Sequence, residues 1–368
     1  MPSRFGNALR ALGRAAAIVP RGAAYAYRAG QAHQHFFLPV LNGALGDQLA
    51  ARYDARAIQM SFRRGGRDVP VAALRLQEAR LKTVVFVHGL MGDELIWQTG
   101  FQDAAGRPRF GPRLAQEAGL RCLYLRYNTG QHLSENGREL ARLLQELADR
   151  YPDALGELVL VGHSMGGLII RSAGYYGSEQ LAVSSEQLTN DSAAHCLLLT
   201  GKATWLAHLR AVFLLGTPHD GAWLEQNSHL TERLLRRINL FPTRFLSNAL
   251  NQRSNGIKDL RHAWLVDEDW QGPHAADLLP PRTAVPLLPG VHYHVLMGAW
   301  LRSSLPAVLR EYFGDGMVGA ASARGQATFG DEAALPAGTS VRTAIFPQQH
   351  HGGLLTHPEV YQYLKAHA

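Results

Sequence analysis

Apolar residues along this chain change their spacing in a repeating way. Ile58, Met60 and Phe62 alternate with polar neighbours, the period of a half-buried strand, and after Gly65-Gly66 a second apolar run covers Val69–Leu76, which together predict a hairpin. Short continuous apolar runs then recur at Thr83–Val87, Cys122–Leu125, Leu158–Val161, Ala211–Leu215, Val291–Met297 and Val341–Phe346. Such runs are what strands buried on both faces require. Helical spacing separates them: a segment around Leu114, then Leu140, Leu143, Leu144 and Leu147 at i, i+3, i+4 and i+7 behind Ser134 as N-cap, then Gly166–Tyr175, and finally Pro358–Ala366. Alternation of this kind predicts an α/β fold, a mostly parallel central sheet covered by helices on both faces.

Two stretches interrupt the rhythm. Residues 178–208 read as a polar, Ser-rich insertion, and residues 222–289 carry helical patterns (Leu230–Leu240, Ile257–Trp264) with no strong strand between them. The second reads as a helical cap, leaving 47–221 and 290–368 as the core. Residues 1–46 form a distinct leader with Arg4, Arg10, Arg14, Arg21 and Arg28 and no acidic residue. Its arginines recur too often for a secretory signal, and no run approaches the roughly 20 apolar residues of a membrane span. The leader is expected to be a helix packed on the domain edge, with peripheral contact to a lipid surface as the alternative.

Composition narrows the classes. Of 368 residues 46% are hydrophobic and 18% charged, with 37 glycines, the profile of a globular enzyme. The net charge is +7, but its Lys and Arg are scattered and no basic block is interleaved with stacking aromatics, which argues against a nucleic-acid partner. Two cysteines, Cys122 and Cys196, make no disulfide framework, so a cytoplasmic setting is the simpler expectation.

The chemistry concentrates at Gly162-His163-Ser164-Met165-Gly166, placed between an apolar strand and a helix. Small residues two before and two after the serine let the chain turn sharply and present its hydroxyl, as a nucleophile for acyl transfer must be presented. A Gly-rich surface turn would share the string but not the strand and helix around it. The oxyanion of a tetrahedral intermediate needs backbone donors; Leu90, after His88-Gly89 at the end of the first buried strand, and Met165 are the candidates. For the acid, Asp315 lies between glycines in Phe-Gly-Asp-Gly-Met-Val. His350 and His351 follow the last strand, and His351, leading into Gly352-Gly353-Leu354-Leu355, is the preferred base, with His350 left open. His292 and His294 share a strand face but have no cysteine or carboxylate cluster beside them, so neither a metal nor any other cofactor is expected. The H-x-x-x-x-D spacing of His88 and Asp93 is read as coincidence, and His163 and His219 as structural neighbours of the site.

With these strings in place the chain resembles bacterial lipases and related α/β-hydrolases, including the lipase-like hydrolases related to the GPI inositol-deacylases. The resemblance is carried by VVFVHGLMG, LRYNTG, LVGHSMGGLIIR, LLGTPHDGAWLE, GDGMVGAASA and HHGGLLTHPEVY, in order from residue 84 to 361. It implies a serine carboxylic-ester hydrolase acting on an apolar acyl ester, with Ser164, Asp315 and His351 as the catalytic triad and Leu90 and Met165 at the oxyanion hole. Two departures stand out: paired histidines where such enzymes often have one followed by a larger apolar residue, and no counterpart for 178–208 or 222–289. An acyltransferase of the same fold, or a non-catalytic binding protein built on it, are the alternatives.

Overall fold

The repeating strand and helix periods resolve into one sheet. The computed structural model describes residues 23–76, 80–98, 109–190, 203–221, 254–273, 275, 280–299, 329 and 335–368. Eight strands run β1 (Ser61–Arg64), β2 (Arg67–Val69), β3 (Leu81–Val87), β4 (Arg121–Arg126), β5 (Leu155–His163), β6 (Leu209–Leu215), β7 (His292–Ala299) and β8 (Ser340–Pro347). Their order is β2-β1-β4-β3-β5-β6-β7-β8. The β1–β2 and β1–β4 pairings are antiparallel and every later pairing is parallel. β3, β5 and β6 lie centrally, and Val84–Val87, Leu158–Val161 and Phe213–Leu215 are almost fully buried. All six parallel strands therefore end at one edge of the sheet, where the loops that follow them converge.

The helices are α1 (Ala23–Ala51), α2 (Leu95–Gln98), α3 (Phe110–Ala118), α4 (Leu133–Arg150), α5 (Met165–Asn190), α6 (Thr204–His208), α7 (Asn255–His262), α8 (Asp267–Gln271) and α9 (Pro358–His367). Two apolar layers form. Leu140, Leu144, Leu147, Leu168 and Ile169 of α4 and α5 pack on one face of the sheet. On the other face Trp97, Phe110, Leu114, Tyr361 and Leu364 of α2, α3 and α9 meet Val84, Phe86 and Val161.

Several local expectations change. The second hairpin strand stops at Val69, because Pro70 offers no amide to the ladder, and Val71–Ala73 closes into a 3-10 turn instead. The helix beginning at Met165 runs to Asn190, through the start of the stretch read as an insertion. Ser134 does not cap α4: the helix begins at Leu133, whose amide donates to Asp259 Oδ2 at 2.8 Å, while Glu135 accepts the His132 amide at 3.1 Å. A carboxylate from α7 and one from the helix itself do the capping, and Ser134 Oγ accepts Trp270 Nε1 at 3.0 Å.

The boundary placed at residue 46 falls inside α1, where Leu41, Asn42, Leu45 and Leu49 are buried. Residues 1–22 of the leader, residues 222–253 of the cap and Cys196 lie outside the described residues. Among the described residues no helix is long and apolar enough to cross a membrane.

Candidate active site

β5 ends at His163, α5 begins at Met165, and Ser164 alone makes the turn between them. Its φ is 54°, the left-handed region that side-chain-bearing residues seldom occupy. The surrounding glycines explain how the turn closes. A Cβ on Gly162 would stand 2.6 Å from the Gly167 nitrogen, and one on Gly166 would stand 2.5 Å from the carbonyl oxygens of Val87 and His88. Strand, helix and the end of β3 thus meet at backbone distance, and only hydrogen fits at both positions. The Ser164 amide is tied sideways to Leu215 O of β6 at 2.9 Å. Strain held in place by neighbours on several sides is how a reactive side chain is kept in one orientation.

The turn after β3 lies against this elbow. A Cβ on Gly89 would come 3.0 Å from Ser164 Cβ. Leu90 is half-buried in that turn, and Met165 is the first residue of α5, where a helix has amides without intrahelical partners. His88 is fully buried, stacked on Tyr127 with ring centroids 4.3 Å apart, and its Nδ1 lies 2.9 Å from Gly89 O. Burial holds its imidazole down at about 4, so at neutral pH it is uncharged and Nδ1 donates to that carbonyl.

His351 opens a 3-10 turn four residues after β8 and points inward: it is buried, its ring centroid is 4.6 Å from that of His163, and its carbonyl is 3.2 Å from His163 Nε2. The adjacent histidine differs. His350 is exposed, and its Nδ1 caps the turn by accepting the Gly353 amide at 3.1 Å. Ser164 and His351 are therefore brought to the same corner of the sheet edge through His163, whereas His350 faces outward. Asp315 lies outside the described residues.

Other candidates have structural partners. Asp93 accepts the Leu95 amide at 3.0 Å and lies 3.5 Å from Arg126, so its spacing from His88 reflects a helix start. His292 Nδ1 is 2.9 Å from Ser340 Oγ, and His294 Nδ1 is 3.0 Å from the Tyr363 hydroxyl. His219 is fully buried against Phe329, and burial lowers its basicity.

Sequence reasoning missed a buried charge cluster behind the turn after β3. Glu94 accepts Arg126 Nε at 2.7 Å, Arg126 Nη2 at 2.8 Å and Arg63 Nε at 3.2 Å, with Asp68 also paired to Arg63. It missed as well the pair of His132 and Asp259, 2.9 Å apart under the Trp270 ring, which fastens α7 and α8 to α4.

A parallel sheet whose edge carries this elbow agrees with comparison of the sequence with family profiles, in which residues 84–361 match the one described as the alpha/beta hydrolase family. The chain belongs to that family. No curated protein matches this α/β-hydrolase in sequence. Among solved structures it is similar to the Bacillus licheniformis lipase BlEst2 in mature form, at 19% identity over 78% of this chain and 93% of that one, with a TM-score of 0.43. It is also similar to EstA from Clostridium botulinum, at 17% identity over 83% and 91% of the two chains with a TM-score of 0.43. A third is the phospholipase PlaB from Legionella pneumophila, at 18% identity over 66% of this chain and 46% of that one, with a TM-score of 0.35.

Proposed function

We propose that this chain is a serine carboxylic-ester hydrolase of the esterase and lipase kind, acting on an apolar acyl ester. Ser164 Oγ attacks the acyl carbonyl while His351 takes its proton; Asp315 orients the imidazole, and the Leu90 and Met165 amides receive the oxyanion. His351 returns the proton to the leaving alcohol, and water then cleaves the acyl-enzyme by the same route in reverse. The observation that carries this reading is the left-handed Ser164 at the strand-to-helix junction, packed against the turn that bears Leu90. The inward position of His351 supports it as the base over His350.

The test is hydrolysis of a chain-length series of p-nitrophenyl esters by wild type and Ser164→Ala, with labelling by a fluorophosphonate. Turnover and labelling that both vanish in the variant are expected, and the chain-length profile gives the acyl preference. Labelling with acyl transfer to an added alcohol but no hydrolysis would make it an acyltransferase. Absence of any labelling would refute the serine mechanism.

A further inference from the structure

The turn after β3 is held in a conformation it would not adopt alone. Gly92 N donates to Gly89 O at 3.1 Å, and Met91 between them has φ 56°, an unfavourable backbone for an unbranched side chain that costs about 1 kcal/mol or more unless the surroundings enforce it. Two successive peptide planes matter. In the first, Gly89 O is taken by Gly92 N and His88 Nδ1, so the Leu90 N–H, at the other end of the same trans plane, must point the opposite way. In the second, the Met91 N–H donates to Thr129 Oγ1 at 3.2 Å. A flip of either plane would swing the Leu90 peptide, and Thr129 holds the second through a side chain from outside the turn.

Thr129 is itself immobilised. It is buried in the loop after β4, where Asn128 Nδ2 donates to Gly46 O of α1 at 2.9 Å and Asn136 Nδ2 of α4 donates to Asn128 O at 2.9 Å. Helix α1 presses on the same point: a Cβ on Gly43 would collide with Met91 Cγ and stand 3.2 Å from Thr129 Oγ1. Ser254 Oγ fixes α1 there by donating to Gly43 O at 2.7 Å, and Asn42 Oδ1 accepts the Ile58 amide at 2.8 Å. Resting on the serine-hydrolase reading above, we propose that Thr129 is a positioning residue for the oxyanion hole, and that α1, through Gly43, is the other jaw of a clamp on the Leu90–Met91 turn. Part of the leader is thereby a component of the active site rather than an appendage.

The experiment uses the full chain and the variants Thr129→Val, Thr129→Ser and Gly43→Ala. Each is assayed for kcat and KM on p-nitrophenyl butyrate, for affinity toward an alkyl trifluoromethyl ketone whose adduct on Ser164 carries an oxyanion, and for thermal melting. Thr129→Val is expected to lower kcat about tenfold, with KM within about twofold, and to weaken the ketone by the same factor as kcat. Thr129→Ser restores both, because the hydroxyl returns. Gly43→Ala displaces Met91 from the helix side and gives the same pattern, and it decides the matter where Thr129→Val does not fold. Wild-type kcat in folded Thr129→Val or Gly43→Ala, or lost kcat with unchanged ketone affinity, overturns the clamp while leaving the hydrolase reading intact. A wild-type chain that neither turns over nor takes the fluorophosphonate overturns both.

Discussion

Glu94→Gln is the sharpest test of the buried charge cluster behind the turn after β3. The carboxylate is fully buried, and the guanidinium groups of Arg63 and Arg126 that it joins are only 5% and 8% exposed. Gln keeps the shape and one acceptor oxygen but removes the charge, leaving two cations in a poorly solvated site. Breaking a buried ion pair costs roughly 3–5 kcal/mol. Asp68, paired with Arg63, and Asp93, 3.5 Å from Arg126, each keep part of the neutralisation, which places the expected loss near the lower bound. Unfolding entropy of about 2.1 cal/mol/K per residue, over 368 residues, is about 0.8 kcal/mol/K, so Tm should fall by about 4 °C. Scanning calorimetry at pH 7, with rescans to establish reversibility, measures it. Arg142→Ala is the control: its contacts to Glu139 and Glu146 are more than one-third exposed, and a change within about 1 °C is expected. A Tm for Glu94→Gln indistinguishable from wild type would show instead that Asp68 and Asp93 alone satisfy both guanidinium groups and that the Glu94 charge adds no stability.

Further predictions concern the histidines and the elbow. His351→Ala should lower kcat/KM by at least about 10³-fold while His350→Ala changes it by less than about threefold; the reverse order in ester hydrolysis would reassign the base. Ser164→Gly should abolish labelling yet raise Tm by about 1 °C, because glycine relieves about 1 kcal/mol of left-handed strain, and a lower Tm in calorimetry would contradict that strain. Burial holds both His88 and His294 at about 4, against about 6.5 in an unfolded chain. The folded state then binds fewer protons, so the stability these groups contribute is full above pH 6.5 and is lost as pH falls toward 4, by about 3 kcal/mol for the fully buried His88 and by less for His294, whose ring is partly screened by solvent. Urea midpoints that stay flat between pH 7 and pH 4.5 would show that one or both rings gain a proton without cost.

The parts of this fold that could be read from sequence are those where one physical requirement acts alone. Strands β3, β5 and β6 are buried on both faces, so their apolar runs are uninterrupted and tolerate no other reading. The strand-to-helix turn at Ser164 was legible because such an elbow needs small residues at two fixed offsets between a strand and a helix. His350 and His351 were not separable in the same way: both follow β8, and only the direction in which the 3-10 turn winds sends one inward. The Arg63–Glu94–Arg126 cluster was hidden for a different reason. Its members meet because β1 pairs with β4, with Ser61 opposite Arg126, a register that depends on which strands become neighbours. Helix α1 was obscured by the arginines before it. They suggested a helix packed on the domain edge or touching a lipid surface but not which side would pack; Leu41, Leu45 and Leu49 at helical spacing, with Asn42 beside them, form the face that docks.

The docking of α1 also sets an order of events during synthesis. The helix leaves the ribosome early, yet Ser254, whose hydroxyl anchors Gly43, follows 211 residues later. At about 5–20 residues per second that is a wait of roughly 10–40 s, during which α1 can gather its near neighbours Ala57 and Met91 but not the hydroxyl that holds Gly43. The elbow, encoded between these two points, is translated before α1 receives that anchor. A growing chain therefore carries α1 against the turn after β3 without this last tether until the segment at Ser254 has emerged.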